Sequence, residues 1–163
     1  MDAKAYNKSV DLWADSLFRF VLKNVRNEEE SKDIVQSAFE TLWVKKDDVS
    51  EEKVKSFLFT IAYRRAMDYH RKDKSEFMEV LPDIHTHTIY EQIDTKKLLA
   101  QAFEHLNPRD KQLILLKDWE GYNYEEIATI TQLNAGQVKV YLHRARKSLK
   151  TIIELLETVR HEN

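Results

Sequence analysis

The scarcity of turn-forming residues limits the fold of this 163-residue chain more than any other feature of its sequence. The chain contains only two Gly and two Pro, whereas average usage would give roughly 11 and 8. Sandwiches, barrels and Gly-rich phosphate-binding folds need such residues at their many turns. The sequence therefore predicts an all-α protein, of a length that suits one or two small helical domains.

Two further absences narrow the class of protein. Cysteine is missing, which excludes a disulfide framework, a thiolate zinc site and a cysteine nucleophile. The first residues contain no apolar run of the signal-peptide type, and the longest apolar runs, such as residues 113–116, are too short to cross a bilayer. We expect a cytoplasmic protein without membrane insertion.

The net charge of −2 is distributed unevenly along the chain. Residues 1–72 carry a balance of +1, residues 73–94 of −5 and residues 95–163 of +2. The acidic middle stretch contains Pro82 and has no sustained helical period. We interpret it as a linker between two helical domains; solvation is the simplest explanation of its acidity.

Three amphipathic helices are predicted before the linker, because apolar residues recur there at intervals of three and four. Their apolar stripes are Tyr6, Val10, Trp13, Leu17 and Val21; Ile34, Val35, Ala38, Phe39, Leu42 and Trp43; and Val54, Leu58, Ile61, Ala62 and Tyr69. A charged loop, residues 45–50, separates the second stripe from the third. The first domain is therefore predicted to be a small helical bundle.

Helix-capping signals divide the chain after the linker. Asn107 precedes Pro108, and Pro is well tolerated at the first position of a helix. Two later segments have the form of capping boxes, in which an Asn side chain caps a helix three residues before a Glu or Gln. These pairs are Asn123 with Glu126 and Asn134 with Gln137. A short helix, a tight turn and a second helix predict a helix-turn-helix.

The last predicted helix combines an apolar stripe with a basic surface. The stripe consists of Val138, Leu142, Ala145, Leu149, Ile152 and Leu156. At about 100° per residue, the following side chains lie between about 80° and 180° from it: Lys139, His143, Arg146, Lys147 and Lys150. Residues 137–150 contain five Lys or Arg and no acid, whereas solvated helices usually mix signs. This surface suits DNA phosphates, and the outward Val140 suits a thymine methyl; a solubilising surface is the alternative.

A second basic segment follows the third apolar stripe. It contains Arg64, Arg65, Arg71, Lys72 and Lys74 against two acidic residues. The aromatic residues Phe57, Tyr63 and Tyr69 are interleaved with or flank it. Cations beside stacking platforms suit single-stranded nucleic acid, although aromatic residues at helical spacing more often belong to a core.

The order and spacing of these segments resemble bacterial RNA polymerase sigma factors of the extracytoplasmic-function (ECF) class of the sigma-70 family. Residues 33–43 are similar to the family's polymerase-binding helix and residues 57–72 to its promoter-melting helix, both in sigma region 2. Residues 106–128 resemble the approach to the helix-turn-helix of sigma region 4, and residues 138–146 its recognition helix. The resemblance covers roughly residues 10–155.

The resemblance implies how the two predicted domains divide their work. Residues 1–72 would be the region 2 domain, which binds core polymerase and melts the minus-ten element. Residues 95–163 would be the region 4 domain, which reads the minus-thirty-five element, and residues 73–94 the linker. The partners implied are RNA polymerase core, double-stranded promoter DNA, the melted non-template strand and, as in many relatives, an anti-sigma factor. Neither a cofactor nor a metal is expected.

The same resemblance implies roles for individual residues. Asp33 and Gln36 occupy positions that contact the polymerase clamp helices, with Phe39 and Trp43 supporting the core. The implied DNA-binding residues are Arg64, Arg65, Arg71 and Lys72 in region 2, and Gln137, Lys139, Val140, His143, Arg144, Arg146 and Lys147 in region 4. The loop of residues 45–53 lies where the family captures a flipped base of the non-template strand.

Some positions depart from the usual family pattern. Phe57 replaces a common Trp, and residues 63–64 are Tyr-Arg where Arg-Asn is common. In the last helix, residues 140–141 are Val-Tyr in place of a common Ser-Arg, and Gln137 replaces a common Thr. These departures bear on which promoter sequence the chain would read and leave the implied class of function unchanged.

Two other classes of function compete with this interpretation. A helix-turn-helix regulator that never binds polymerase would explain the second domain and leave the first without a role. An enzyme is the other alternative, and His85 and His87 could in principle hold a metal. However, no third ligand is placed by spacing, and no nucleophile elbow, phosphate loop or HExxH motif occurs in the sequence.

Overall fold

The computed structural model describes residues 1–72 and 95–162. The segment interpreted as a linker, residues 73–94, lies outside the described residues, and so does its pair of histidines. The all-α prediction is confirmed for the described residues, which form seven α-helices and two short helical turns. Neither described range contains a helix that is long and apolar enough to cross a membrane.

Three helices precede the linker position and four follow it. The first three are α1 (Ala3–Val25), α2 (Glu28–Val44) and α3 (Val54–Lys72), with a 3₁₀ turn at Glu51–Lys53 before α3. The others are α4 (Thr95–Glu104), α5 (Pro108–Ile114), α6 (Tyr124–Thr131) and α7 (Ala135–Glu162), with a π-helical turn at Leu115–Trp119 after α5. Helices α1, α2 and α3 pack against one another, and α7 packs against α4, α5 and α6.

The capping signals of the sequence position the helix-turn-helix. The backbone N–H of Glu126 donates to Asn123 Oδ1 at 2.8 Å, and the N–H of Asn123 donates to Glu126 Oε2 at 3.1 Å. Upstream, the N–H of Asp110 donates to Asn107 Oδ1 at 2.8 Å, with Pro108 in the first turn of α5. These bonds satisfy backbone donors that a helix leaves free at its start, so the predicted caps are confirmed.

The turns on either side of α6 adopt left-handed backbone conformations. Gly121, with φ of +75°, follows the π-helical turn, and glycine adopts this region without steric cost. Gln132 ends α6 with φ of 61°, a conformation that costs a residue with a Cβ about 1–2 kcal/mol. Together these turns redirect the chain twice within a short segment and bring α6 across α7.

The aromatic side chains of α1 and α3 join the two halves of the molecule into one continuous core. The rings of Phe20 and Phe59 lie 5.1 Å apart, and the ring of Phe59 lies 5.6 Å from that of Tyr122, in the loop before α6. Tyr63, one turn after Phe59, is 9% exposed. We refer to the contact of α1 and α3 with α5, α6 and the loop between them as the seam.

Charged side chains border this seam. Arg26, which ends α1, forms an ion pair with Glu104 at the end of α4. The ammonium of Lys23 lies 5.3 Å from the ring centroid of Trp119, and that of Lys55 lies 4.9 Å from that of Tyr122. Cation–π contacts of this kind contribute about 0.5–1 kcal/mol at exposed sites. These border contacts therefore add only modestly to the stability of the seam.

Packing on two sides of α3 extends the predicted core. The predicted stripe of this helix contains Leu58 and Ala62, which are fully buried against α1 and α2. Phe59 and Tyr63, which the stripe omits, are buried as well because the second half of the molecule covers them. The prediction that Trp43 supports the core is wrong, since its side chain is 42% exposed at the end of α2.

Lys111 is buried near the charged border of the seam and is 4% exposed. Burial lowers the pKa of its ammonium, the positive charge of Arg26 lowers it as well and Glu104 raises it, with a net pKa of about 8. In the unfolded chain this pKa returns to its ordinary value of about 10.4. Between pH 8 and about 10 the unfolded state therefore binds more protons, and Lys111 makes stability increase with pH in that window.

We expect Lys111→Met to raise the free energy of unfolding at pH 7 by about 1–3 kcal/mol, because it removes a charge that burial disfavours. The same substitution should flatten the increase in stability between pH 8 and 10. Urea unfolding of both proteins across this range measures the difference. Lys8→Met, on the exposed side of α1, is the control and should leave the pH dependence unchanged. An unaltered pH profile in Lys111→Met would contradict the assignment.

Candidate nucleic-acid interface

The residues of the last helix separate into a buried and an exposed side, as the sequence predicts. Val138, Leu142 and Ala145 are at most 1% exposed and pack into the core of the helix-turn-helix. The side chains assigned to DNA all lie on the exposed side: Gln137, Lys139, Val140, His143, Arg144, Arg146 and Lys147. We call these seven residues the α7 surface. Val140 is 47% exposed although it is apolar, which leaves it free to contact a base methyl.

Besides Asn134, which caps α7, two residues outside the helix contact this surface, and the sequence analysis missed both. Asp118 accepts hydrogen bonds from Arg146, at 2.6 Å from Nη2 to Oδ1 and 3.3 Å from Nε to Oδ2. The bond to this carboxylate raises the pKa of Arg146. Lys139 lies 5.3 Å from the ring centroid of Tyr124. Asp118 precedes Arg146 by 28 residues, so no helical spacing connects them in the sequence.

The basic side chains of α3 form a second exposed surface. Arg64, Arg65, Arg71 and Lys72 all point away from the core, and we call them the α3 surface. Arg71 is held by an ion pair with Asp68, one turn earlier. The α3 and α7 surfaces both remain exposed while the two halves of the molecule are packed together.

The aromatic residues near the α3 surface do not form an open stacking platform. Tyr63 is buried in the seam, and burial raises the pKa of its hydroxyl above the ordinary value. Phe57 and Tyr69 are half-buried and pack against the core. The interpretation of these rings as core residues, which the sequence left open, therefore describes this arrangement better than a role in stacking bases.

A groove between α2 and α3 brings together residues assigned to two different partners. It has a volume of about 420 Å³ and is lined by Asp33 from α2 and by Arg65 and Lys72 from α3, among others. Gln36 lies on the exposed side of α2 and donates from Nε2 to Glu40 Oε1 at 3.0 Å. The residues assigned to polymerase and those assigned to DNA are therefore neighbours on one side of the helical bundle.

The loop between α2 and α3 begins beside an exposed aromatic residue. The ring of Trp43 lies 4.9 Å from that of Tyr6, and the ammonium of Lys46 lies 3.8 Å from the Trp43 centroid. Val49 packs against the core and anchors the middle of the loop. Trp43 is therefore a partly exposed aromatic side chain beside the loop, with the Lys46 ammonium over one face of its ring.

Comparison with known proteins identifies both halves of the chain. The family model for sigma-70 region 2 matches residues 10–76, and that for sigma-70 region 4 matches residues 96–149. RNA polymerase sigma factor SigV of Bacillus subtilis is 31% identical over 143 residues, which cover 82% of this chain and 81% of SigV. ECF RNA polymerase sigma factor SigM of the same organism is 23% identical, covering 86% of this chain and 90% of SigM.

A solved structure resembles the arrangement of the whole chain. It is the sigma factor RpoE in complex with the anti-sigma factor NepR from Bartonella quintana. The two align with a TM-score of 0.72 at 21% sequence identity, over 93% of this chain and 98% of the other. At this level of identity the match concerns the fold.

The ion pair between Asp118 and Arg146 predicts a measurable effect on DNA binding. Asp118→Asn should increase affinity for duplex DNA and make its dependence on salt steeper by about one unit of log K per unit of log[salt], because Arg146 becomes available to a phosphate. Fluorescence anisotropy at several salt concentrations measures both quantities. Glu154→Gln, farther along α7, serves as the charge-matched control. Weaker binding by Asp118→Asn would contradict this prediction and show that the carboxylate orients Arg146 productively.

Proposed function

The chain belongs to the sigma-70 family of RNA polymerase sigma factors, in its ECF class, and from that premise we propose which of its surfaces carries out each step of transcription initiation. The protein directs core RNA polymerase to promoters and performs no bond-breaking chemistry of its own. This function is located in the cytoplasm, with the polymerase. The observation that supports this function is that the chain carries two exposed basic surfaces, one on its sigma-70 region 2 and one on its sigma-70 region 4.

Residues 1–72 are the polymerase-binding and promoter-melting unit in this proposal, and residues 95–163 are the unit that reads duplex DNA. Asp33 and Gln36 contact core polymerase from the exposed side of α2. The α3 surface holds the strand phosphates near the minus-ten element. Because Asp33 shares its groove with Arg65 and Lys72, melted DNA on this surface would lie directly beside the polymerase.

The α7 surface reads the minus-thirty-five element in the major groove. Gln137, Lys139, Val140 and His143 face base edges, and Arg144, Arg146 and Lys147 lie nearer the phosphates. An α-helix fits the major groove, and residues in its first turns reach the bases. Support comes from the sorting of this helix into a buried apolar side and an exposed side without acidic residues between 137 and 150.

Simultaneous contact with both promoter elements requires the seam to open. The minus-ten and minus-thirty-five elements lie about 25 base pairs apart, which at 3.4 Å each corresponds to about 85 Å of duplex. A compact chain of this length has a radius of gyration of only about 15 Å. The packed arrangement is therefore too small to reach both elements. In this proposal, binding to core polymerase separates the two units. An anti-sigma factor is a partner that would favour the packed arrangement.

A helix-turn-helix regulator that works without polymerase is the competing function. Substitutions in α2 distinguish the two functions, because only a sigma factor uses this helix to bind core polymerase. The double substitution Asp33→Ala and Gln36→Ala should lower affinity for purified core polymerase at least tenfold, since it removes a charged and a hydrogen-bonding contact. Binding to core polymerase labelled with a fluorophore measures this loss. Asp11→Ala, on the exposed side of α1, removes one negative charge elsewhere and should bind as the unmodified protein does. Equal affinities of all three proteins would contradict the assignment to α2.

Lys139→Ala and Lys147→Ala should each reduce the dependence of promoter affinity on salt by about one unit of log K per unit of log[salt]. The reason is that each lysine bound to a phosphate releases about one counterion from the duplex. Titration of holoenzyme against a promoter fragment between low and moderate salt measures the slope. Lys8→Ala, on α1, is the control. A slope that does not change in either α7 variant would exclude this helix from the DNA contact.

A further inference from the structure

The side-chain amide of Gln137 has only one orientation that satisfies its hydrogen bond within the chain. The backbone N–H of Asn134 donates to Gln137 Oε1 at 3.0 Å, while the N–H of Gln137 donates to Asn134 Oδ1 at 2.8 Å. Only the oxygen of the side-chain amide can accept the hydrogen bond from a backbone N–H, because the nitrogen of the amide is a donor. The Gln137 carbonyl is therefore turned back toward the start of α7, and its NH₂ group faces outward.

This orientation changes what an exposed glutamine can recognise. A free glutamine reads adenine with two hydrogen bonds, in which its oxygen accepts from N6 and its nitrogen donates to N7. That pairing needs oxygen and nitrogen side by side on the base edge. With the oxygen held at the start of the helix, Gln137 presents a donor, and its chemical partner is a base with a carbonyl acceptor.

We propose that Gln137 is a specificity-determining residue that selects a keto base, guanine or thymine, at one position of the duplex promoter element. Guanine offers O6 and N7 as acceptors and thymine offers O4, whereas cytosine presents only an amino donor, and adenine places its N6 amino donor beside its N7 acceptor. The inference deepens the proposed function and rests on it, since it requires the α7 surface to contact base edges. The capping box thus sets the base preference in addition to stabilising the helix.

The chain itself provides the substitution that tests this idea. Glu126 closes the capping box of α6 by accepting the Asn123 N–H through one carboxylate oxygen. Gln137→Glu should keep the corresponding box of α7 in the same way, and its second oxygen would replace the outward NH₂ group. The group facing the DNA then changes from donor to acceptor while the helix start keeps its hydrogen bonds.

The experiment selects promoter sequences from a duplex library with random upstream bases, using holoenzyme assembled from core polymerase and the full chain. For the unmodified protein we expect one position at which guanine or thymine is enriched about tenfold over adenine and cytosine on the strand read. Gln137→Glu should reverse this preference toward adenine or cytosine at that position only, with lower overall affinity. Gln137→Ala should abolish the preference there and keep it elsewhere.

A second pair of variants tests the role of the backbone hydrogen bond. Asn134→Ala and Asn134→Pro both remove the Asn134 side-chain acceptor, but only the proline also removes the N–H that holds Gln137 Oε1. Asn134→Ala should keep the keto preference, and Asn134→Pro should shift it toward adenine. Circular dichroism establishes that the variants have the helix content of the unmodified protein.

The outcomes distinguish the inference from the function on which it rests. If holoenzyme with the unmodified chain enriches upstream sequences, but Gln137→Glu and Gln137→Ala leave every position unchanged, the inference about Gln137 is overturned and the proposed function stands. The inference is also overturned if the position that loses its base preference in Gln137→Ala is one at which the unmodified protein enriches adenine. If the unmodified holoenzyme enriches no sequence, the reading of DNA by α7 fails, and the inference fails with it.

Discussion

The packing of α3 between two groups of helices is the interaction on which the rest of the molecule depends. One side of α3 completes the bundle with α1 and α2, and the other contacts α5, α6 and the loop between them through Phe59 and Tyr63. Its remaining surface carries the arginines assigned to DNA. A single helix therefore contributes to the first core, the contact between the halves and the candidate interface, so a change in one of these roles affects the others.

Local signals allowed much of the fold to be predicted. The shortage of Gly and Pro predicted the all-α class, and the boxes at Asn123 and Asn134 predicted the starts of α6 and α7. These signals act within one helical turn, and a sequence displays them directly. The second buried side of α3 was not predictable in the same way, because a periodic stripe marks one apolar side and the burial of Phe59 depends on Tyr122, 63 residues away.

The candidate site shows the same division between local and distant information. The exposed position of Lys139, Val140 and Lys147 follows from helical geometry, and the structure agrees with it. The partner of Arg146 does not follow, since Asp118 reaches it only through the fold of the π-helical turn onto α7. Similarly, the sequence identified a box at Asn134 and a DNA-binding candidate at Gln137, but only the two hydrogen bonds together indicate which atom of the glutamine is occupied.

Tyr122 gives the contact between the two halves an unusual thermodynamic character. Its ring is buried against Phe59, yet its hydroxyl is buried without a hydrogen-bond partner among the described residues. An unsatisfied hydroxyl costs about 1–3 kcal/mol, which water would recover when the halves separate. The favourable apolar contact is thus opposed by one polar atom at its centre. For a partner that binds only separated halves, the apparent dissociation constant equals the intrinsic one divided by the fraction of molecules already open. That single oxygen therefore helps to determine how readily such a partner captures the protein.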